Sequence, residues 1–143
     1  MTKSPRGRRT EARRAALQGL YQWQITNRGL EEETFPEGWE FPPIDGNYFQ
    51  ELLREIPLHK EQLNTTLTPV LDRPVSQINP VERAILWIGA YELIFRADDV
   101  PWRVAVNEAV ELAKAFGAEQ SHKYINGVLD KVAANARAEV DTE

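Results

Sequence analysis

Two sets of side chains in this sequence have the types and spacing to do chemistry on a nucleic acid. Arg6, Arg8, Arg9, Arg13 and Arg14 crowd the N-terminus, and Lys123, Tyr124 and Asn126 stand close together in the run SHKYIN. Cations neutralise backbone phosphates and release counterions, while a flat ring and an amide stack on and hydrogen-bond to unstacked bases. The charge distribution sharpens the first set. Residues 1–14 carry six basic groups against Glu11, a net of +5, whereas residues 15–143 carry 11 basic and 21 acidic groups, a net of −10. A basic arm on an acidic body fits an anion-binding tail, and equally a solvated terminus that keeps the protein soluble. A tyrosine at a helix border is ordinarily core trim with a wet hydroxyl.

Constellations that would carry catalysis are not apparent. Ser121 and His122 are neighbours, but adjacent helical residues point about 100° apart, so the adjacency is no evidence for a nucleophile and its base. Glu108 and Glu111 are three residues apart with Lys114 three further on, the pattern of a solvated, ion-paired helix face. The eight glycines are scattered and form no phosphate-binding loop. With no cysteine, disulfides, thiolate metal sites and cysteine nucleophiles are excluded together, and His59 and His122 are too few for a His-rich metal site. No enzyme activity, metal or cofactor is expected. No apolar run approaches the roughly 20 residues of a membrane span, and the basic N-terminus leads into amphipathic sequence rather than the apolar core of a signal peptide, so a soluble, cytoplasmic protein is expected.

The elements that must position these residues follow from apolar spacing. Ala105, Ala109, Leu112, Ala113 and Phe116 form one stripe, with Asn107, Glu108, Glu111 and Lys114 on the wet side. Gly117 follows as a left-handed C-terminal cap. A second stripe runs through Ile125, Leu129 and Val132, with Tyr124 and Val128 at its border and Ser121, His122, Lys123 and Asn126 exposed. Two helices therefore meet at Gly117. Upstream, Asn79-Pro80 with Glu82 is an N-cap, first-turn proline and capping-box signal, opening a helix to about Phe95 that is apolar nearly all round. Asp98, Asp99 and Pro101 form the turn after it.

The first helix is expected from Thr10, as N-cap, to Thr26, with Ala12, Ala16, Leu20 and Trp23 inward and Ala15, Leu17 and Gly19 widening that face. Arg13 and Arg14 on its first turns then pass the arm's charge on to a folded surface. From Asn27 to Gly46, glycines, prolines and glutamates interrupt any helix, and Phe35, Trp39 and Phe41 pack back onto the body. Asp45 caps a helix with Tyr48, Phe49, Leu52, Leu53 and Ile56 inward, ending before Pro57. Leu58, Leu63, Leu67, Val70 and Leu71 suggest one more, closed by Pro69 and Pro74. No sustained alternation supports a sheet. The expectation is an all-α chain, a compact single-domain bundle of about six or seven helices spanning residues 1–143, with a basic arm at 1–9.

The words NEAVELAKAFG and SHKYINGVLDK, with VERAILWIGAYEL, DVPWRVAVNEA and ALQGLYQWQ, are long, ungapped and not low in complexity. In these the chain resembles the NusB family of bacterial transcription antitermination factors; the likeness covers most of the chain and weakens between Thr26 and Gln77. The resemblance implies a NusB-like fold and binding of a short single-stranded RNA element, boxA, on nascent transcripts such as those of ribosomal RNA operons. It implies RNA contacts at Arg9, Arg13, Lys123 and Tyr124, with Tyr21 at a position near the RNA-facing surface or else in the core; Arg8, Arg14 and Asn126 join the expected contacts on charge and residue type, although Thr10 and Glu11 interrupt the family's arginine-rich run. It further implies pairing with NusE, a ribosomal small-subunit protein, within an RNA polymerase antitermination complex, with Glu82 at the partner surface and a monomer or weak homodimer when free. Two rivals stand beside this: a helical protein-interaction module whose basic arm is unimportant, and the RNA-binding accessory domain of an RNA methyltransferase. The second requires a cofactor-binding sheet domain, which 143 residues of helix do not supply.

Overall fold

A computed structural model describes residues 5–27 and 44–141. These fold as α1 (Pro5–Thr26), α2 (Gly46–Leu58), α3 (Lys60–Leu67), α4 (Pro80–Phe95), α5 (Trp102–Phe116) and α6 (Ser121–Asp141), with 3-10 turns at Thr68–Val70 and Val75–Gln77. The all-α expectation holds: six α-helices and no strand occur among the described residues. The aromatic loop expected around Phe35, Trp39 and Phe41 lies outside them. By internal contacts the chain divides into two compact units, Met1–Leu58 and His59–Glu143.

In the first unit α1 and α2 pack on each other. The helix α1 begins at Pro5, not at Thr10, because proline suits a first helical position and arginine is a good helix former, so the arm continues the helix. It stops at Asn27, whose φ of 54° is left-handed and whose N–H still donates to the Trp23 carbonyl. Its inward face is as the spacing predicts for Ala12, Ala15, Ala16, Leu17, Gly19 and Leu20, all buried, while Trp23, expected inward, is half-buried. Asp45 caps α2 by accepting from the Tyr48 N–H at 3.0 Å. Tyr48, Phe49, Leu52, Leu53 and Ile56 are all buried. Pro57 lies inside the last turn of α2 rather than beyond it, where the bond it omits leaves no later turn of α2 to disrupt, and Leu58 points to solvent at 71% exposure instead of joining the next stripe.

The second unit is built around α4, which packs against α3, α5 and α6. Every residue from Ala84 to Leu93 is buried, including Glu92. The cap is as expected: Asn79 Oδ1 accepts from the Glu82 N–H at 2.9 Å. Gly89 lets α6 come close, because a Cβ there would stand 2.5 Å from Leu129 Cδ1. Arg83 closes the preceding segment by donating to the carbonyls of Val75, Ser76 and Ile78 at 3.1, 3.1 and 2.6 Å. Trp87 Nε1 ties α4 to α3 through Asn64 Oδ1 at 2.8 Å.

The corner between α5 and α6 differs from expectation in three ways. Gly117 has φ −85° and ψ 171°, ordinary extended backbone rather than a left-handed cap. What requires glycine is space, since a Cβ would meet the Ala113 carbonyl at 2.7 Å and Ser121 Oγ at 2.8 Å. The left-handed residue is Gln120, φ 72°, which turns the chain into α6. Ser121 is buried, not exposed, and Phe116 is 39% exposed, not part of the core stripe.

Candidate nucleic-acid interface

In the first unit the α1 arginines divide by environment. Arg14 is exposed, Arg8 and Arg9 are half-buried, and Arg13 is only 2% exposed. Arg9 and Arg13 are four residues apart and so share a face, on which both guanidinia approach the Tyr48 ring, at 4.6 and 5.6 Å from its centroid. Arg9 also lies 3.8 Å from Asp45, the cap of α2. Arg13 therefore corrects the expectation that the first turns pass all their charge to the surface: a partner-lined site holds it inside. Arg8 lines a small cavity of about 410 Å³ with Ile44, Asp45, Gly46 and Asn47, and its Nε is buried with no hydrogen-bond partner among the described residues. Tyr21 is 40% exposed and seven residues from Arg14, hence on the same face of α1. Ile25, 59% exposed, continues that face. It was not singled out in the sequence, where an isoleucine four residues after a tyrosine looks like core.

In the second unit the start of α6 presents Lys123 and Asn126 to solvent, with Tyr124 half-buried beside them. The Tyr124 hydroxyl donates to Asp72 Oδ1 at 2.8 Å. Arg73 donates to the same carboxylate, Nε to Oδ1 at 2.9 Å and Nη2 to Oδ2 at 3.2 Å, and its Cζ stands 5.2 Å from the Tyr124 ring centroid. The hydrogen bonds from Arg73, then from Tyr124, hold the Asp72 carboxyl below its ordinary value. Burial, then the bond to Asp72, pushes the Tyr124 phenol above 10.0. The ring is thus fixed in place, with a guanidinium at hand to meet a phosphate or a stacked base. Asp72 and Arg73 were not legible as site residues: only tertiary structure brings them to Tyr124, 52 positions away.

Glu82 has two structural duties. Its N–H takes the cap, and its carboxylate accepts from Ser121 Oγ at 2.7 Å, tying the start of α4 to the start of α6. It remains half-buried, so part of it faces solvent. Among the described residues no cluster of His, Cys, Asp and Glu could hold a metal ion, and no helix is long and apolar enough to cross a membrane.

The described residues form an all-helical fold that sets Arg14, Tyr21, Lys123 and Asn126 at its surface. Residues 10–134 match the NusB family, and the chain belongs to it. It is 52% identical over 134 residues to a transcription antitermination protein NusB of Nitrosococcus oceani, covering 92% of this chain and 88% of that one. A NusB of Shewanella halifaxensis is 47% identical over 131 residues, covering 90% and 96%. Among solved structures, T. maritima NusB superposes with a TM-score of 0.74 at 27% identity, covering 94% of this chain and 93% of that one. A structure of the antitermination factors NusB and NusE in complex with dsRNA has a TM-score of 0.64 at 24% identity over 90% and 98%, a likeness of fold.

Proposed function

We propose that this chain is a non-enzymatic, cytoplasmic RNA-binding factor of transcription antitermination. It binds a single-stranded boxA element of nascent transcripts, together with NusE, in an RNA polymerase antitermination complex. The observation that carries the reading is membership of the NusB family across residues 10–134, with relatives near half identity that are named transcription antitermination proteins. The neighbour of similar fold captured with NusE and dsRNA supports pairing with NusE and binding of RNA; the single-stranded form is the part of the reading that rests on the chemistry of Tyr124 and on the family resemblance. Residues 1–143 act as one RNA-binding domain. Arg8, Arg9 and Arg14 meet phosphates, Tyr21 and Tyr124 offer rings, and Lys123 and Asn126 meet the backbone and a base edge. Arg13 acts from inside, holding the Tyr48 ring against the helix that bears its neighbours. Glu82 offers its open side to the basic partner.

Anisotropy titration of a labelled boxA strand tests this, with and without NusE. Binding should weaken steeply with salt, each neutralised phosphate on a single strand contributing about −0.7 to the slope of log K against log salt. NusE should tighten it, and a duplex of the same sequence should compete poorly, because its bases are not open to Tyr124. A chain that bound NusE but not boxA would be an interaction module only.

A further inference from the structure

The second unit holds a groove of about 520 Å³ between the end of α4, the turn into α5 and the C-terminal half of α6. Leu93, Ile94, Val100, Ala133 and Ala136 line it, with Trp102 and Arg137. Arg137 and Arg103 both stand against the Trp102 ring, their Cζ atoms 4.0 and 4.8 Å from its centroid. Both are exposed, and neither has a carboxylate or other hydrogen-bonding partner among the described residues. This sets them apart from the other arginines of the same unit: Arg73 pairs with Asp72, Arg96 with Asp99, and Arg83 donates to backbone carbonyls. Residues 59–143 carry nine basic and thirteen acidic side chains, so two arginines against one ring without a carboxylate partner stand out in an acidic unit.

We propose that this groove docks an apolar, acidic peptide segment of a protein partner. Its apolar side chains enter between α4 and α6, and its carboxylates engage Arg103 and Arg137. The guanidinium fork matches a carboxylate in geometry, and an arginine already stacked on a ring loses less freedom when it binds. Tryptophan and arginine beside an apolar recess are also the residue types that dominate binding energy at protein interfaces. A nucleic acid suits the groove less well. Its walls are aliphatic, and guanidinia already engage the one aromatic ring.

Panning phage-displayed random peptides on the immobilised full chain tests the proposal, with counter-selection on Arg103→Glu/Arg137→Glu. The selected sequences should combine large apolar residues with Asp or Glu, and synthetic copies should lose about tenfold or more in affinity on the double variant. Arg137→Gln, which removes one exposed charge, should lose part of that affinity with an unchanged circular-dichroism melt. Several outcomes would overturn the idea: no selected peptide, selected peptides that are neutral or basic, or equal binding to parent and variants. Protection of the groove by an oligouridylate strand, or self-association of the chain that Arg137→Gln abolishes, would overturn it too.

Discussion

Arg13 and Arg14 are adjacent in sequence and opposite in environment, one 2% exposed near the Tyr48 ring and the other in solvent. Replacing each by alanine should therefore separate stability from binding. Arg13→Ala empties a buried position and removes a desolvated cation–π contact, so it should lower unfolding free energy by about 1–3 kcal/mol. Arg14→Ala should leave the urea midpoint in place while flattening the salt slope for boxA RNA by about 0.7, the share of one phosphate. Sequence periodicity marked both as cations of the first turns, and it held a sign of which is drawn inward, since Arg13 precedes the buried Leu17 and Leu20 by four and seven residues; that Tyr48 meets it there is not encoded locally. Tyr124 poses the same problem. Its spacing put it at a helix border, correctly, but the partners that set its chemistry lie in a segment whose helical signal was weak. Because its phenol is raised above 10.0, first by burial and then by Asp72, it supplies stability that is complete below that value and lost as pH rises through the folded-state value. Ultraviolet difference titration of the parent against Tyr124→Phe should isolate a phenol ionising above 10.0. Asp72→Asn should bring it part of the way down, since burial remains. A Tyr124 component at the ordinary value would contradict the burial and the bond.

The helices themselves were largely legible, because their signals are local: the Asp45 and Asn79 caps, the stripe of α2 and the apolar run of α4 all stand where spacing put them. The differences do not share one cause: Pro5 opens α1 by its local preference for a first helical position, Pro57 sits inside the last turn of α2, and Gly117 answers to space that only the fold creates. The Gly117 backbone is extended, so alanine would suffer no φ strain, yet the added Cβ would lie 2.7 Å from the Ala113 carbonyl and 2.8 Å from Ser121 Oγ, the hydroxyl that holds Glu82. Gly117→Ala should thus cost about 1–3 kcal/mol as overpacking, partly by displacing the Ser121–Glu82 bond. Gly127, in mid-helix on α6, provides the contrast, because a Cβ added there would meet nothing within 4 Å. Gly127→Ala should stabilise by about 0.5–1 kcal/mol, the ordinary helical preference for alanine. Urea denaturation of the two variants should move the midpoint in opposite directions; like movements would show that space at Gly117 is not what matters.

For the whole molecule, the class of fold was legible from composition and period alone, and the family from its long ungapped words, whereas the tertiary groupings around Tyr48, Tyr124 and Trp102 were not. A proposal about the entire chain can still be tested on cooperativity. Internal contacts divide it at Leu58, and the proposal that residues 1–143 act as one RNA-binding domain requires that the two units unfold together. At about 0.7 kcal/mol per residue near 60 °C, a chain of 143 residues unfolding as one has an enthalpy of about 100 kcal/mol, and independent units would divide it. Calorimetry should then give a van't Hoff enthalpy equal to the calorimetric one. Trp23 lies in the first unit and Trp87 and Trp102 in the second, so fluorescence of variants that retain Trp23 alone or Trp87 alone should report coincident urea midpoints. Separate midpoints, or a van't Hoff enthalpy near half the calorimetric value, would sink the single-domain reading. RNA should distinguish the cases further: if boxA is held by α1 and α6 residues of one cooperative domain, saturating RNA raises both midpoints together by RT ln(1 + [L]/Kd), whereas binding to one of two independent units raises only that unit's midpoint.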